Sequence, residues 1–203
     1  MKRLLVLLAG FACSILIAGC VATSKDMVRS TATSHQPEPG KALVVFMRPS
    51  RYGGAIQSSV YDTSSASDTF IGIVSSGTKV AYQADPGHHL FMVQGENADF
   101  MNADLDAGKT YYVLVSPRMG MWKARFSLLP IHNDTAAKYS LKSPNFQKWQ
   151  ADTQFVDKSA TADAWYQAHA ADISAKRVEY MTKWSAATEQ QKAELTLRAD
   201  DGI

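Results

Sequence analysis

Residues 110–116 read TYYVLVS, and residues 41–48 read KALVVFMR before Pro49 stops the run. Both are dense in β-branched and aromatic side chains, which fit the pleated surface of a sheet better than a helix. Between them the same device repeats. Ile56 to Asp62 follows the Tyr52-Gly53-Gly54 break, and Thr69 to Val74 ends at Ser75-Ser76-Gly77-Thr78. Lys79 to Ala84 runs into Asp85-Pro86-Gly87, where Pro presets one turn residue and Gly accepts positive φ at the next. His88 to Gln94 returns, and Asp99 to Leu105 meets Asp106-Ala107-Gly108-Lys109. Past Gly120, Trp122, Ala124, Phe126 and Leu128 alternate with Lys123, Arg125 and Ser127, the period of a half-buried strand. The spacing predicts a mainly β chain whose residues 41–131 form an antiparallel β-sandwich-like domain of seven or eight strands, or an open barrel. The absence of βαβ alternation argues against a parallel sheet.

Composition shifts after Pro130. Gly is missing until Gly202, and Ala, Gln, Lys, Asp and Glu rise, which is helix-forming material. Residues 132–203 are therefore expected to be a helical C-terminal extension. A short helix is expected from Pro144 to Trp149 and a long one from about Thr161 to Ala186. Thr188 with Gln191 has capping-box spacing, so a further helix is expected to start there and end by Gly202. On the long helix Trp165, Tyr166, Ile173, Tyr180 and Trp184 fall near one side at spacings of three and four. They form the candidate interaction surface. The first expectation for this stripe is that it packs on the β-domain; a partner surface is the second, and lying on a membrane the third. The membrane alternative is the weakest, because Lys176, Arg177 and Lys183 are offset by Asp172 and Glu179.

The chain has 203 residues, 46% hydrophobic and 20% charged, which suits one folded domain with an appendage and excludes a fibrous or polytopic membrane protein. Lys2 and Arg3 are the only charges before Cys20, so two of the 21 basic residues leave with that segment and 19 remain against 19 acidic ones. A neutral body does not suggest nucleic-acid binding.

Leu4 to Ala18 is apolar apart from Gly10 and Ser14. As a helix it reaches about 22 Å, short of the roughly 30 Å hydrocarbon core. With its basic start, it reads as a signal peptide over residues 1–19 rather than a permanent span. Its end, Ile17-Ala18-Gly19-Cys20, resembles the bacterial lipobox. The resemblance implies cleavage between Gly19 and Cys20 and lipidation of Cys20 by a diacylglyceryl group and an N-acyl chain such as palmitate. The alternative is an ordinary secretion signal with a chance cysteine. Cys13 would leave with the signal, so the mature chain would carry no free thiol, no disulfide and no cysteine-based zinc site. Two or more acyl chains hold firmly. Val21 after the cysteine, in place of the Asp of inner-membrane lipoproteins, implies the outer membrane, with the periplasmic face expected. Residues 20–40, rich in Ser, Thr and Ala and ending in Pro37, Pro39 and Gly40, read as the lipidated cysteine and a flexible tether spanning roughly 25 Å.

KALVVFMRPS, DPGHHLFMV and AGKTYYVLV resemble the bacterial lipoprotein group known as domain-of-unknown-function family 2846. Its members share a lipobox, an "alvyfyRp" first strand, a "pGkh" hairpin and an "aGktYYv" strand. The resemblance covers about Lys41 to Ile131. It implies a β-sandwich-like domain of unestablished role and supplies no catalytic residues.

No residue set assigns a reaction. Gly108-Lys109-Thr110 carries part of a phosphate-loop motif, but Ala103 stands where that loop needs Gly and a strand follows where it needs a helix. His88 and His89 are adjacent on a strand and point to opposite faces, so they do not share a metal. Met119 and Met121 suit copper(I) by softness alone. Asp104 and Asp106 read as a solvated pair beside a turn. No catalytic residue, metal or cofactor is therefore assigned. The expected protein is a membrane-anchored envelope lipoprotein, held through its N-terminal lipid. It is expected to serve as a non-catalytic binding or scaffolding module, with an envelope protein as the candidate partner. The alternative is an envelope hydrolase or small-ligand binder with a site between β-domain and tail.

Overall fold

The structure is a computed structural model, and it describes residues 24–118 and 125–203. In chain order its strands and helices are β1 (Met27–Arg29), β2 (Ala42–Arg48), β3 (Ser58–Asp62), β4 (Thr69–Val74), β5 (Thr78–Ala84), β6 (Gly87–Gln94), β7 (Ala98–Leu105), β8 (Thr110–Arg118), β9 (Arg125–Pro130), α1 (Pro144–Ala151), β10 (Gln154–Lys158), α2 (Ala162–Ser185), α3 (Glu189–Glu194) and β11 (Thr196–Leu197). A turn of 3-10 helix, Ala199–Asp201, follows. The strands form a six-stranded sheet, β1-β10-β5-β2-β8-β9, and a five-stranded sheet, β11-β7-β6-β3-β4.

The mainly β, sandwich-like architecture is as expected, and eight strands fall within residues 41–131. Two particulars are corrected. Eleven strands are present among the described residues, and both sheets are mixed. The chain-adjacent hairpins β3–β4, β6–β7 and β8–β9 are antiparallel. The parallel pairs β2–β8, β5–β10 and β7–β11 join segments far apart in sequence. Such pairs need a long crossover and leave no local turn signal.

Every residue of β2 is buried. Its side chains alternate between two cores, as strand geometry requires. Ala42, Val44 and Phe46 face the space between the sheets, while Leu43, Val45 and Met47 face outward. The outward set is covered by α1 through Phe146, which meets Tyr112 edge-on at 4.9 Å between ring centroids. Ser143 caps α1 by accepting from the Phe146 N–H, and Pro144 begins it, where its missing N–H costs nothing. The five-stranded sheet has its own cover. Phe70, Tyr61, Met92 and Phe100 lie side by side across β4, β3, β6 and β7, and α2 packs on that row. A strand covered on both faces reads as a continuous apolar run, which is why β2 shows no alternation.

The regions flanking residues 41–131 also differ from expectation. Residues 24–40 are not a free coil. Met27–Arg29 pairs with β10, and Met27 is buried. His35 stacks on Phe155 at 3.6 Å, and the Gln83 side chain bridges the Gln36 carbonyl and the Glu38 N–H. The tail holds the expected α1 and α2, and α3 has the Thr188/Gln191 capping box. However, α3 ends at Glu194, and the chain then adds β11 to the edge of the five-stranded sheet. The tail thus completes both sheets instead of standing beside them. Three- and two-residue strands have no period to read.

Candidate functional site

Trp165, Tyr166, Ile173, Tyr180 and Trp184 all lie on α2 and pack on the outer face of the five-stranded sheet. Ile173 is buried. Tyr166 stacks on Phe70 at 5.4 Å and tilts against Tyr61 at 6.0 Å, and Trp165 sits 5.5 Å from Phe70. At the other end Trp184 stands 6.1 Å from Phe100. The stripe therefore packs on the β-domain, the leading of its three readings, and does not stand as a free partner surface. The physical reason is area: the row Phe70–Tyr61–Met92–Phe100 needs a cover, and aromatic side chains bury more surface than any others. Polar clamps reinforce the contact. Arg177 binds the Asp68 carboxylate and the Thr63 carbonyl, and Tyr166 donates to the Asp68 carbonyl at 2.9 Å. Burial nevertheless pushes the Asp68 carboxyl up, against the pull of Arg177.

Where α2 ends and α3 turns back, the cover is incomplete. A cleft of about 550 Å³ opens between β7, the β8–β9 strands and the two helices. Phe100, Tyr180 and Trp184 supply its apolar wall, and Arg118, Arg125 and Lys183 stand around it. Arg118 is held by Asp99 at 2.8 Å, and Lys183 lies 4.5 Å from the centre of the Tyr180 ring. Glu194 closes the α3 side. Beneath it the buried Asn97 amide oxygen accepts from the Phe126 N–H at 3.0 Å, tying β9 to the β6–β7 turn. The cleft presents aromatic faces beside guanidinium and ammonium groups. That combination suits a ligand with a planar or apolar body and a negative charge.

Three other polar centres are closed. Asp62, His89 and Ser64 stand together, but not as a nucleophilic triad. The His89 ring lies 2.7 Å from Asp62 Oδ2 through Nδ1 and 2.8 Å from the Asp85 carbonyl through Nε2. Both partners only accept, so both ring nitrogens donate and the imidazole is a cation. The Ser64 hydroxyl donates to Asp62, not to the histidine base position, so nothing activates it. The hydrogen bond to Asp62 raises the His89 pKa despite burial. Burial works against ionising Asp62, yet His89 and Ser64 together hold its carboxyl below the usual range. His88, on the opposite face, is exposed and pairs with Asp104 at 2.9 Å. Asp106 pairs with Lys109 at 2.8 Å, so the two carboxylates have separate partners.

Arg48 is fully buried without a carboxylate. Nη1 donates to the Ile56 carbonyl at 2.6 Å, and Nη2 donates to those of Tyr52 and Gly53 at 3.1 and 2.8 Å. Its guanidinium lies 4.8 Å from the Phe126 ring centre. Desolvation lowers its pKa to about 10. Asp201, 1% exposed, accepts from His132, from the Asn133 and Arg198 N–H groups and from the Arg198 side chain. Burial opposes its charge, but these donors hold the carboxyl far below the usual range.

Gly19 and Cys20 lie outside the described residues, as do Met119, Met121 and Trp122. Among the described residues no group of three or more His, Cys, Asp or Glu side chains is placed to hold a metal. No helix among them is long and apolar enough to cross a membrane. Arg48, Asp62, Asp201 and the cleft's Arg118 and Arg125 were not singled out by sequence reasoning. Arg48 had one signal, a charge ending an otherwise apolar strand, and Arg198-x-x-Asp201 had a local spacing. The cleft had none, because it joins β7, β8, β9, α2 and α3. No family model matches the chain, and no curated protein matches it.

Proposed function

We propose that the protein is a cell-envelope lipoprotein, anchored through lipid on Cys20, that works as a non-catalytic binding module and takes its ligand in the cleft where the helical tail meets the sheet. The observation that carries this is the cleft itself. Three aromatic rings and three cationic side chains meet around about 550 Å³, within the roughly 300–1,000 Å³ range of small-molecule sites. The other polar centres are occupied by their own partners. The lipobox-like Ile17-Ala18-Gly19-Cys20 supports the anchoring half of the reading.

The cleft lies between β-domain and tail, where both forms of the alternative reading put their site. Among the described residues its lining holds no Ser, Cys or His to act as nucleophile or base, which favours the small-ligand form over the hydrolase form. A solute with an aromatic or acyl body and a carboxylate or phosphate is the class that fits. A photo-crosslinking residue at Ala187, on the cleft wall, is expected to capture a species in intact cells that Arg125→Glu abolishes. Equal capture from position 178, on the exposed face of α2, would remove the cleft from consideration. For the anchor, Cys20→Ser is expected to move the protein from the membrane to the soluble fraction. Unchanged membrane association of that variant would end the lipoprotein reading.

A further inference from the structure

The fold takes hold of its N-terminal segment very early. Ser24 and Asp26 are buried. Asp26 accepts from Thr161 Oγ1 at 2.8 Å, and its carbonyl accepts from the Ser159 N–H at 3.0 Å. Met27 is wedged against β4 so closely that a Cβ on Gly72 would stand 3.0 Å from its terminal methyl. The body thus grips the chain four residues past Cys20. Four extended steps span at most about 14 Å. Given the acylation of Cys20 proposed above, the leash is too short for the body to stand off, and the end carrying Ser24 must lie against the leaflet.

The surroundings of that end have a matching composition. The groove beside Ser24 and Lys25 has Gln57 and Ser58 on its other side. Gln57 closes the loop 49–57, whose backbone carbonyls are pinned from beneath by the buried Arg48. With its carbonyls drawn inward, the loop turns its side chains out. Tyr52 is 57% and Ile56 40% exposed, and Arg51, Ala55 and Lys25 are exposed beside them. From Ala42 to Tyr61 there is no acidic residue. The nearby carboxylates are engaged: Asp26 is buried and accepts from Thr161, and Asp152, beside Pro49 and Ser50, pairs with Lys148 at 2.8 Å. An outward Tyr and Ile with Arg51 and Lys25 is the composition of a membrane–water interface anchor.

We infer that the loop 49–57, together with Lys25, docks on the phospholipid leaflet that holds the acyl chains of Cys20. Tyr52 and Ile56 enter the headgroup region, and Arg51 and Lys25 face lipid phosphates. Neither contact would hold a free protein on a membrane. The leash supplies the high local concentration that makes them count. The buried Arg48 is then what presents the loop as a rigid foot, so the body stands on the membrane in one orientation.

The test uses the full-length lipidated protein in vesicles of phosphatidylethanolamine and phosphatidylglycerol. With Cys20 acylated and Cys13 removed, Tyr52→Cys or Val178→Cys provides one free thiol for an environment-sensitive fluorophore. Quenching by lipid-borne spin labels is expected to be severalfold stronger at position 52 than at 178, and Ile56→Cys is expected to match position 52. Equal quenching at all three positions, on protein that floats with the vesicles, overturns the docking face and leaves the anchor standing. Protein that does not float at all overturns the anchor, and the docking face with it. Adding Arg51→Glu to Ile56→Cys is expected to lower the quenching at 56. No change there would overturn the role given to the basic groups.

Discussion

Arg48 and His89 are both buried cations near strand ends, and the molecule holds them in opposite ways. Arg48 is surrounded by backbone carbonyls and an aromatic ring, with no counter-charge. His89 is clasped between a carboxylate and a carbonyl. A guanidinium stays charged at any physiological pH, so carbonyl dipoles suffice and the clamp is indifferent to pH. An imidazole keeps its proton only if its surroundings favour the cation, and Asp62 does that. One centre is therefore a permanent staple for the loop 49–57. The other is a staple whose strength follows pH.

The largest expected effect comes from removing the permanent staple. Arg48→Met leaves the carbonyls of Tyr52, Gly53 and Ile56 without their donor, and should cost about 3–4 kcal/mol, read as a lower urea midpoint. A midpoint within error of the parent would show that the loop rehydrates freely and that the clamp is dispensable. Next is Asp62→Asn, which strands the His89 cation beside an amide and should cost about 3 kcal/mol near pH 6.

The pH profile sharpens the contrast. The His89 pKa is raised in the folded state, so its contribution is complete below its ordinary value of about 6.5 and is lost as pH rises through the folded value. The Asp62 pKa is lowered, so its contribution is complete above its ordinary value of about 3.8 and is lost as pH falls below it. The melting temperature is therefore expected to be highest between those limits and to decline on the alkaline side. His89→Gln should flatten the alkaline decline, whereas Arg48→Met should keep it. If the decline persists in His89→Gln, another group is responsible.

A smaller effect is expected at the far end of the chain. Gly202 packs where a Cβ would come within 2.6 Å of the Tyr111 ring, and the Ile203 and Thr110 backbones bond to each other at 2.7 and 3.1 Å. Gly202→Ala should loosen this latch by about 1–2 kcal/mol, with faster amide exchange at Thr110 as its signature. Val178→Ser, on the exposed face of α2, should change stability by no more than about 0.5 kcal/mol and serves as the reference.

Legibility tracked sequence distance. The hairpin strands, the start of α1 at Pro144, the length of α2 and the capping box at Thr188 depend on neighbours within a few residues, and they were readable. The short β1, β10 and β11 depend on partners elsewhere in the chain and were not. The α2 stripe shows both sides of this. Its periodicity named the right residues, Trp165 to Trp184, but only the row Phe70–Tyr61–Met92–Phe100 decided what they cover. The candidate cleft was invisible for the same reason, since its aromatic and basic residues come from five elements.

What the sequence alone determined was a mainly β chain with a helical tail and a lipobox-like start, because strand propensity, turn chemistry and the signal pattern are local. What only the tertiary structure decided was that the tail completes both sheets, that the segment after Ser24 is gripped rather than free, that Asp62 and Asp201 are buried with their partners, and that Arg48 is buried with both terminal nitrogens bonded and its Nε left without a partner. Burial and long-range pairing are properties of the assembled core, where the free energy of a side chain depends on partners that the linear order does not bring near.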